Sequence, residues 1–387
     1  MKTRLQWALV GALPFLLGAC SGALDSSVSP TRDLGVAPPP SGSNPTQPQA
    51  GVLTAGEWND LRNWSFWINV LKRPEWSPLP DSWQLYPTTR YTLTLTDAAG
   101  QPLPGAQVTL GSAAATTGVT VAITDRLGRA ELFPGLFQKD SPAAAQPVLV
   151  AYRGQQFTLA PLAATEYAAT RALPVGATAA SAVDIMFVVD ATGSMGDEIT
   201  YLQAELGNVI PRVVAQLPSA DIRMSSVFYR DQGDAYLTRV QPFTTKLSEL
   251  QDFVQAQRAG GGGDFPEAVD EGLRVALDQQ WRPEASCRLL FLVLDAPPHG
   301  EARTRMQTLI REAAGRGIRL IPVTASGIDT STEFLMRSLA LSTAGTYVFL
   351  TDHSGIGDKH LTATVGEYKV EFLNNLLVRL ITEYSQP

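Results

Sequence analysis

The chain has 387 residues, 44% of them hydrophobic and 17% charged, with a formal net charge of −7. That length holds two or three domains with sizeable cores. An acidic chain without a basic block has nothing to replace the counterions of a nucleic acid backbone, so DNA and RNA are not expected as partners.

Residues 1–19 read as an export signal. Lys2 and Arg4 precede LQWALVGALPFLLGA, an apolar run too short for an uninterrupted membrane span. It ends in LGAC, residues 17–20, which resembles the lipobox of bacterial lipoprotein signal peptides. The resemblance implies cleavage before Cys20 and lipid on its thiol and new amino group. That predicts a protein exported across the inner membrane and anchored in the bacterial envelope. Ser21, by the same resemblance, is compatible with outer-membrane sorting. With Cys20 lipidated, Cys287 is left without a disulfide partner and reads as a small buried apolar residue opening the run CRLLFLVLD.

Residues 20–55 are rich in Ser, Pro, Gly and Gln and read as a disordered tether. Residues 56–85 follow as a Trp-rich helical segment. Trp58, Leu61, Trp64, Ile68 and Leu71 recur at helical spacing until Pro74, and Trp67, Trp76 and Trp83 add to the cluster. These aromatic rings are expected to pack the segment against a neighbouring sheet. From Tyr91 the period becomes two, with turn signals AAG, LPGA, DRLG and YRGQ, and residues 86–178 read as a small β-sandwich. Its segments DAAGQPLPGAQVTL and TDRLGRAELFPG resemble the immunoglobulin-like or prealbumin-like modules of bacterial surface proteins, which implies a spacer or docking surface.

Residues 179–387 alternate continuous apolar strands (VDIMFVV, IRMSSVFY, CRLLFLVLD, GIRLIPVTA, TYVFL) with amphipathic helices. The pattern predicts an α/β, Rossmann-like doubly wound, mainly parallel sheet, whose ligands bind beyond the carboxyl ends of the strands. A closing helix is expected from Gly366, with Val370, Leu373, Leu376, Leu377 and Leu380 on one face.

Three strand-end loops carry acids and glycines: DATGSM at 190–195, AGGGGDFPEAV at 259–269 and LDAPPHG at 294–300. Asp190, Asp264 and Asp295 together, with Thr192 and Ser194, present oxygen ligands only. Three carboxylates gathered without a counter-charge are costly, and a hard divalent cation resolves the conflict. Mg²⁺ is the expected ion, with Mn²⁺ and Ca²⁺ as alternatives. Asp231 and Arg230 in YRDQGD and His299 in the third loop are candidates to support the site or contact a ligand. The GGGG run lacks the Lys-Ser/Thr of a phosphate loop.

DATGSM resembles the D-x-[ST]-x-S signature of the von Willebrand factor type A domain, and the likeness extends through VFYRDQGD, GGGGDFPEAVDEGL and LDAPPHG. It implies a metal-ion-dependent adhesion site held by Asp190, Thr192, Ser194 and Asp295. The chain departs from the best-known members by carrying Asp264 where they present a threonine, as in a branch with a GGGDxPE loop. The function this implies is divalent-cation-dependent protein binding or adhesion, and no enzyme activity is expected. The alternatives are an envelope lipoprotein whose metal serves stability alone, and a metal-dependent hydrolase relying on His299.

Overall fold

The computed structural model describes residues 48–111, 120–139, 146–177, 181–357 and 359–386. The export signal, Cys20 and most of the expected tether lie outside the described residues. Among the described residues no helix is long and apolar enough to cross a membrane.

In chain order the first elements are β1 (Thr54–Trp58), α1 (Trp64–Val70) and α2 (Leu79–Trp83). A run of strands follows: β2 (Tyr91–Thr96), β3 (Gln107–Leu110), β4 (Thr120–Ile123), β5 (Arg129–Leu132), β6 (Gln146–Tyr152), β7 (Gln155–Leu162) and β8 (Ala168–Ala172). The rest alternates: β9 (Ala182–Asp190), α3 (Gly196–Gln216), β10 (Asp221–Tyr229), β11 (Thr238–Thr244), α4 (Leu247–Gln255) and α5 (Val269–Leu277). It continues with β12 (Cys287–Leu294), α6 (Arg303–Gly315), β13 (Arg319–Thr324), α7 (Thr330–Ser342), β14 (Tyr347–Leu350), β15 (Glu371–Phe372) and α8 (Leu373–Ser385).

One eight-stranded sheet runs β11-β10-β9-β12-β13-β14-β1-β15. The five strands from β10 to β14 are parallel, while β11, β1 and β15 join antiparallel. This confirms the α/β class. Strand periodicity divides the central side chains between two cores. Met186 and Val188 of β9 face the cluster built with α5, α6 and α7, and Ile185, Phe187 and Val189 face α3, α4 and α8. The chain passes from β9 to β10 on one side and reaches β12 on the other, so strand order reverses beside the end of β9. That is where such sheets open a crevice.

Two corrections concern the N-terminal segment. The tether does not run to residue 55, because Thr54 and Ala55 are strand residues and the amides of Gly51, Val52 and Leu53 all donate to the Glu205 carboxylate at 2.9–3.1 Å. The helical spacing read from Trp58 also misleads: Trp58 pairs with Tyr347 in the sheet and the helix begins at Trp64. The tryptophans do pack inward. Trp67 and Trp76 close on Phe334 of α7, with ring centroids 6.0 and 6.2 Å away. The closing helix likewise starts at Leu373, because Glu371 and Phe372 pair with β1.

Residues 91–172 form a three-stranded sheet, β5-β2-β8, and a four-stranded sheet, β4-β3-β6-β7, both feeding one buried cluster that includes Leu93, Leu132, Val108 and Val150. Beyond β5, Phe133 and Leu136 leave that cluster and join the core beneath α7.

Candidate metal centre

Asp190 ends β9, opposite Tyr229 of the parallel neighbour β10, and is fully buried. Its Oδ1 accepts from the Thr192 amide at 2.9 Å and the Thr192 hydroxyl at 2.7 Å, a turn that folds the loop back over the strand end. Thr192 Oγ1 and Ser194 Oγ lie 3.2 Å apart, with Ser194 exposed. Asp190 Oδ2 is buried and has no hydrogen-bond partner. Burial, and then the charge of Asp295, push this carboxyl up to about 7, against the donors of Thr192 and the nearby Tyr229 hydroxyl.

Asp295 follows β12 in the adjacent crevice wall and is also buried, with Oδ1 unpartnered. Burial raises it to about 6, the Ser194 hydroxyl opposing and the Glu198 charge adding to the rise. The first and third loops thus meet as the sequence predicts.

The second loop is stitched to the first by backbone bonds, Gly193 N–H to Gly261 O at 3.1 Å and Gly260 N–H to Ala191 O at 3.0 Å. Two glycines there are required. Gly261, at φ +82°, would drive a Cβ to 2.2 Å from Asp234 Oδ2. Gly262, at φ +70°, would place one 2.7 Å from Glu267 Oε1 and 3.4 Å from Thr192 Cβ. That shared closeness puts Glu267 beside the Asp190 loop.

Here the structure corrects the sequence reading. Asp264 stands exposed at the loop tip, whereas Glu267 is buried with Oε2 unpartnered. The Glu267 amide donates to Pro297 O at 2.9 Å and the residue bridges Pro298, which turns it inward against the third loop. Burial and the charges of Asp190, Asp231 and Asp295 raise its carboxyl to about 8. The usable signal was its place two residues before α5, after a proline, where the chain must re-enter the core. Glu198, in the first turn of α3, also escaped notice. It is buried, accepts from the Ser326 amide at 3.3 Å and from the Ser326 hydroxyl, and keeps Oε2 unpartnered.

His299 does not orient Asp295. Its Nε2 lies 2.7 Å from Asp231 Oδ1. Burial lowers the imidazole, but the hydrogen bond and charge of Asp231 outweigh it, and the net shift is upward. Arg230 braces the second loop: it donates to Arg258 O at 2.7 Å and its guanidinium sits 4.5 Å from the centre of the Tyr236 ring.

Among the described residues no three His, Cys, Asp or Glu side chains alone converge as ligands of one ion. The donor set is a mixed one. Asp190 Oδ2, Asp295 Oδ1 and Glu267 Oε2 are buried carboxyl oxygens without hydrogen-bond partners, next to the hydroxyls of Thr192 and Ser194. Unpaired buried carboxylates are costly, and an all-oxygen group of this kind fits a hard divalent cation.

Residues 184–358 match the family model for the von Willebrand factor A domain. The chain is 28% identical over 176 residues to alpha-protein kinase vwkA of Dictyostelium discoideum, covering 45% of this chain and 28% of that protein. It is 31% identical over 123 residues to a protein named as an ariadne-like RING finger protein of Acanthamoeba polyphaga mimivirus, covering 32% of this chain and 12% of that one. The chain thus spans 28% and 12% of the lengths of these two relatives.

Proposed function

We propose that this chain, whose residues 184–358 form a von Willebrand factor A domain, is a divalent-cation-dependent protein-binding module of the bacterial cell envelope, held there by lipid on Cys20. The observation that carries the reading is the set of donorless buried oxygens on Asp190, Asp295 and Glu267 beside Thr192 and the exposed Ser194. Those residues would hold Mg²⁺, with Mn²⁺ or Ca²⁺ as substitutes. Bound there, the cation would supply a Lewis-acidic point at the mouth of the crevice. Thr192, pinned by Asp190, orients the loop, and Ser194 presents its hydroxyl to solvent.

Phe265, 45% exposed on the same loop, supports a protein partner, since exposed aromatics are common anchors of interfaces. Asp264 is exposed on the same loop, so the partner surface is read as neutral or basic. The reading is one of binding, with His299 held against Asp231 at 2.7 Å. We read the sheets of residues 91–172 as an immunoglobulin-like or prealbumin-like sandwich serving as a spacer. One observation favours a metal that serves stability alone, namely the complete burial of Asp190.

Calorimetric titration of Mg²⁺, Mn²⁺ and Ca²⁺ into the chain and into its Asp190→Ala variant tests the site. Saturable binding by the wild type alone supports it, and binding that survives the substitution removes it. Pull-downs with and without chelator then separate adhesion from stability: a partner retained equally in chelator leaves the cation a structural role.

A further inference from the structure

We propose that the crevice between the α/β body and the β-sheet unit binds a compact polyanion with at least two oxyanion groups, carboxylate or phosphate. The cavity encloses about 500 Å³, a volume suited to a small ligand. It opens at the start of β13, at the opposite end of the parallel sheet from the strand-end carboxylates, so the two sites are independent.

Its walls carry five arginines and four acids among the described residues, and each acid already has donors of its own. Glu131 accepts from Arg90 at 2.8 Å. Asp125 Oδ1 caps its own turn through the amides of Leu127 and Arg129 at 2.8 and 2.9 Å. Glu57 and Glu383 approach Arg379 from the cavity side at 3.0 and 3.2 Å and share it with Glu371 at 2.6 Å.

The cations are not used up in the same way. The exposed Arg62 guanidinium has no hydrogen bond or ion pair among the described residues. Arg126 spends its Nε on the Glu383 carbonyl at 3.0 Å, leaving its terminal nitrogens without partners among the described residues. Arg129 has a 3.5 Å approach to Glu131 and is 45% exposed. Arg319 is fixed in the wall by the Ala344 carbonyl at 3.0 Å, by stacking 4.8 Å from the Tyr384 ring centre and by a 3.5 Å approach to Asp125. A chain of net charge −7 therefore holds a cavity with five arginines against four acids, in which the guanidinium of Arg62 and the terminal nitrogens of Arg126 are unspent among the described residues, the group best shaped for planar oxyanions. Low-dielectric walls focus that field. Arg62 belongs to the α/β body and Arg126 to the β-sheet unit, so a ligand with two oxyanion groups can engage both walls at once.

The test titrates citrate and pyrophosphate calorimetrically into the full chain, with divalent cations removed and at low ionic strength, and acetate as the single-oxyanion control. We expect saturable one-to-one binding of at least one polyanion. It should weaken by about tenfold or more in Arg62→Gln/Arg126→Gln, and persist in Arg153→Gln on the distant β6–β7 turn. If the double variant does not fold, Arg62→Gln alone carries the test, because that side chain makes no hydrogen bond or ion pair among the described residues. Absence of saturable binding, equal binding by the double variant, or equally tight acetate would each overturn the proposal. So would binding of an acidic hexapeptide where both small anions fail, which would point to a protein segment instead.

Discussion

The raised carboxyls of the strand-end cluster make stability and cation affinity depend on pH in opposite directions. Asp295 at about 6, Asp190 at about 7 and Glu267 at about 8 all lie above the ordinary carboxylate value of about 4. The folded form therefore holds more protons than the unfolded one across that window, and cation-free stability must fall as pH rises through it. A cation needs the ionised forms, so the melting shift on adding Mg²⁺ should be small at pH 5 and grow toward pH 8. Melts in chelator and in Mg²⁺ across that range check both slopes, and a shift independent of pH would detach the cation from these groups. Glu267→Gln removes one anion without changing shape. We expect the chelated variant to be more stable than wild type at pH 8 and to bind Mg²⁺ about tenfold or more weakly, read by melts and calorimetry. Asp264→Asn, at an exposed position, should leave affinity within about twofold, a contrast that separates the two acids of the loop. Alternating oxygens in DATGSM made Asp190, Thr192 and Ser194 legible from the sequence, and a strand-end aspartate did the same for Asp295. Choosing between Asp264 and Glu267 needed the bridge to Pro298, a contact that local sequence does not encode.

At the level of elements, the N-terminal Trp-rich segment is welded to α7 by a buried ionic network. Arg337 is wholly buried and bonds Asp60 through two nitrogens at 2.9 and 2.7 Å, Glu333 at 3.2 Å and the Thr364 carbonyl at 2.6 Å. Trp67 and Trp76 flank its guanidinium, with ring centres 5.0 and 5.1 Å away. Arg337→Met would strand two buried carboxylates and should cost about 3–5 kcal/mol in denaturant unfolding. Arg379→Met, at a 35% exposed arginine with three acidic partners, should cost about 1 kcal/mol or less. A second device fixes the chain entry: Glu205 on α3 receives the three successive amides before β1. Glu205→Ala should speed hydrogen exchange in residues 51–58 selectively, whereas uniform protection would show that sheet pairing alone holds β1. The apolar strands of the parallel sheet were plain in the sequence because both their faces are buried. β1 was not, because TAGEW has neither alternation nor a long apolar run and is a strand by virtue of the open edge of β14.

For the molecule as a whole, the sequence places a domain boundary near residue 179, but the chain crosses it more than once. The segment before β2 belongs to the α/β body, and Phe133 and Leu136, after β5, insert into the core beneath α7. The Tyr86 amide donates to the Leu136 carbonyl at 2.7 Å across the same junction. Composition reads each segment by itself and cannot register a core assembled from both. An apolar junction of this kind couples unfolding of the two units, so calorimetry should show one cooperative transition. Gly317, between α6 and β13, is a close point of contact. A Cβ there would stand 2.8 Å from Ile123 Cβ of β4, and its φ of +63° is costly for any L side chain. Gly317→Val should therefore push β4 away from the α6–β13 corner, lower the first melting step and split the transition, the β-sheet unit and the α/β body unfolding apart. A single transition at unchanged temperature would mean that the Phe133–Leu136 anchor suffices, and that the corner at Gly317 contributes little to holding the units together.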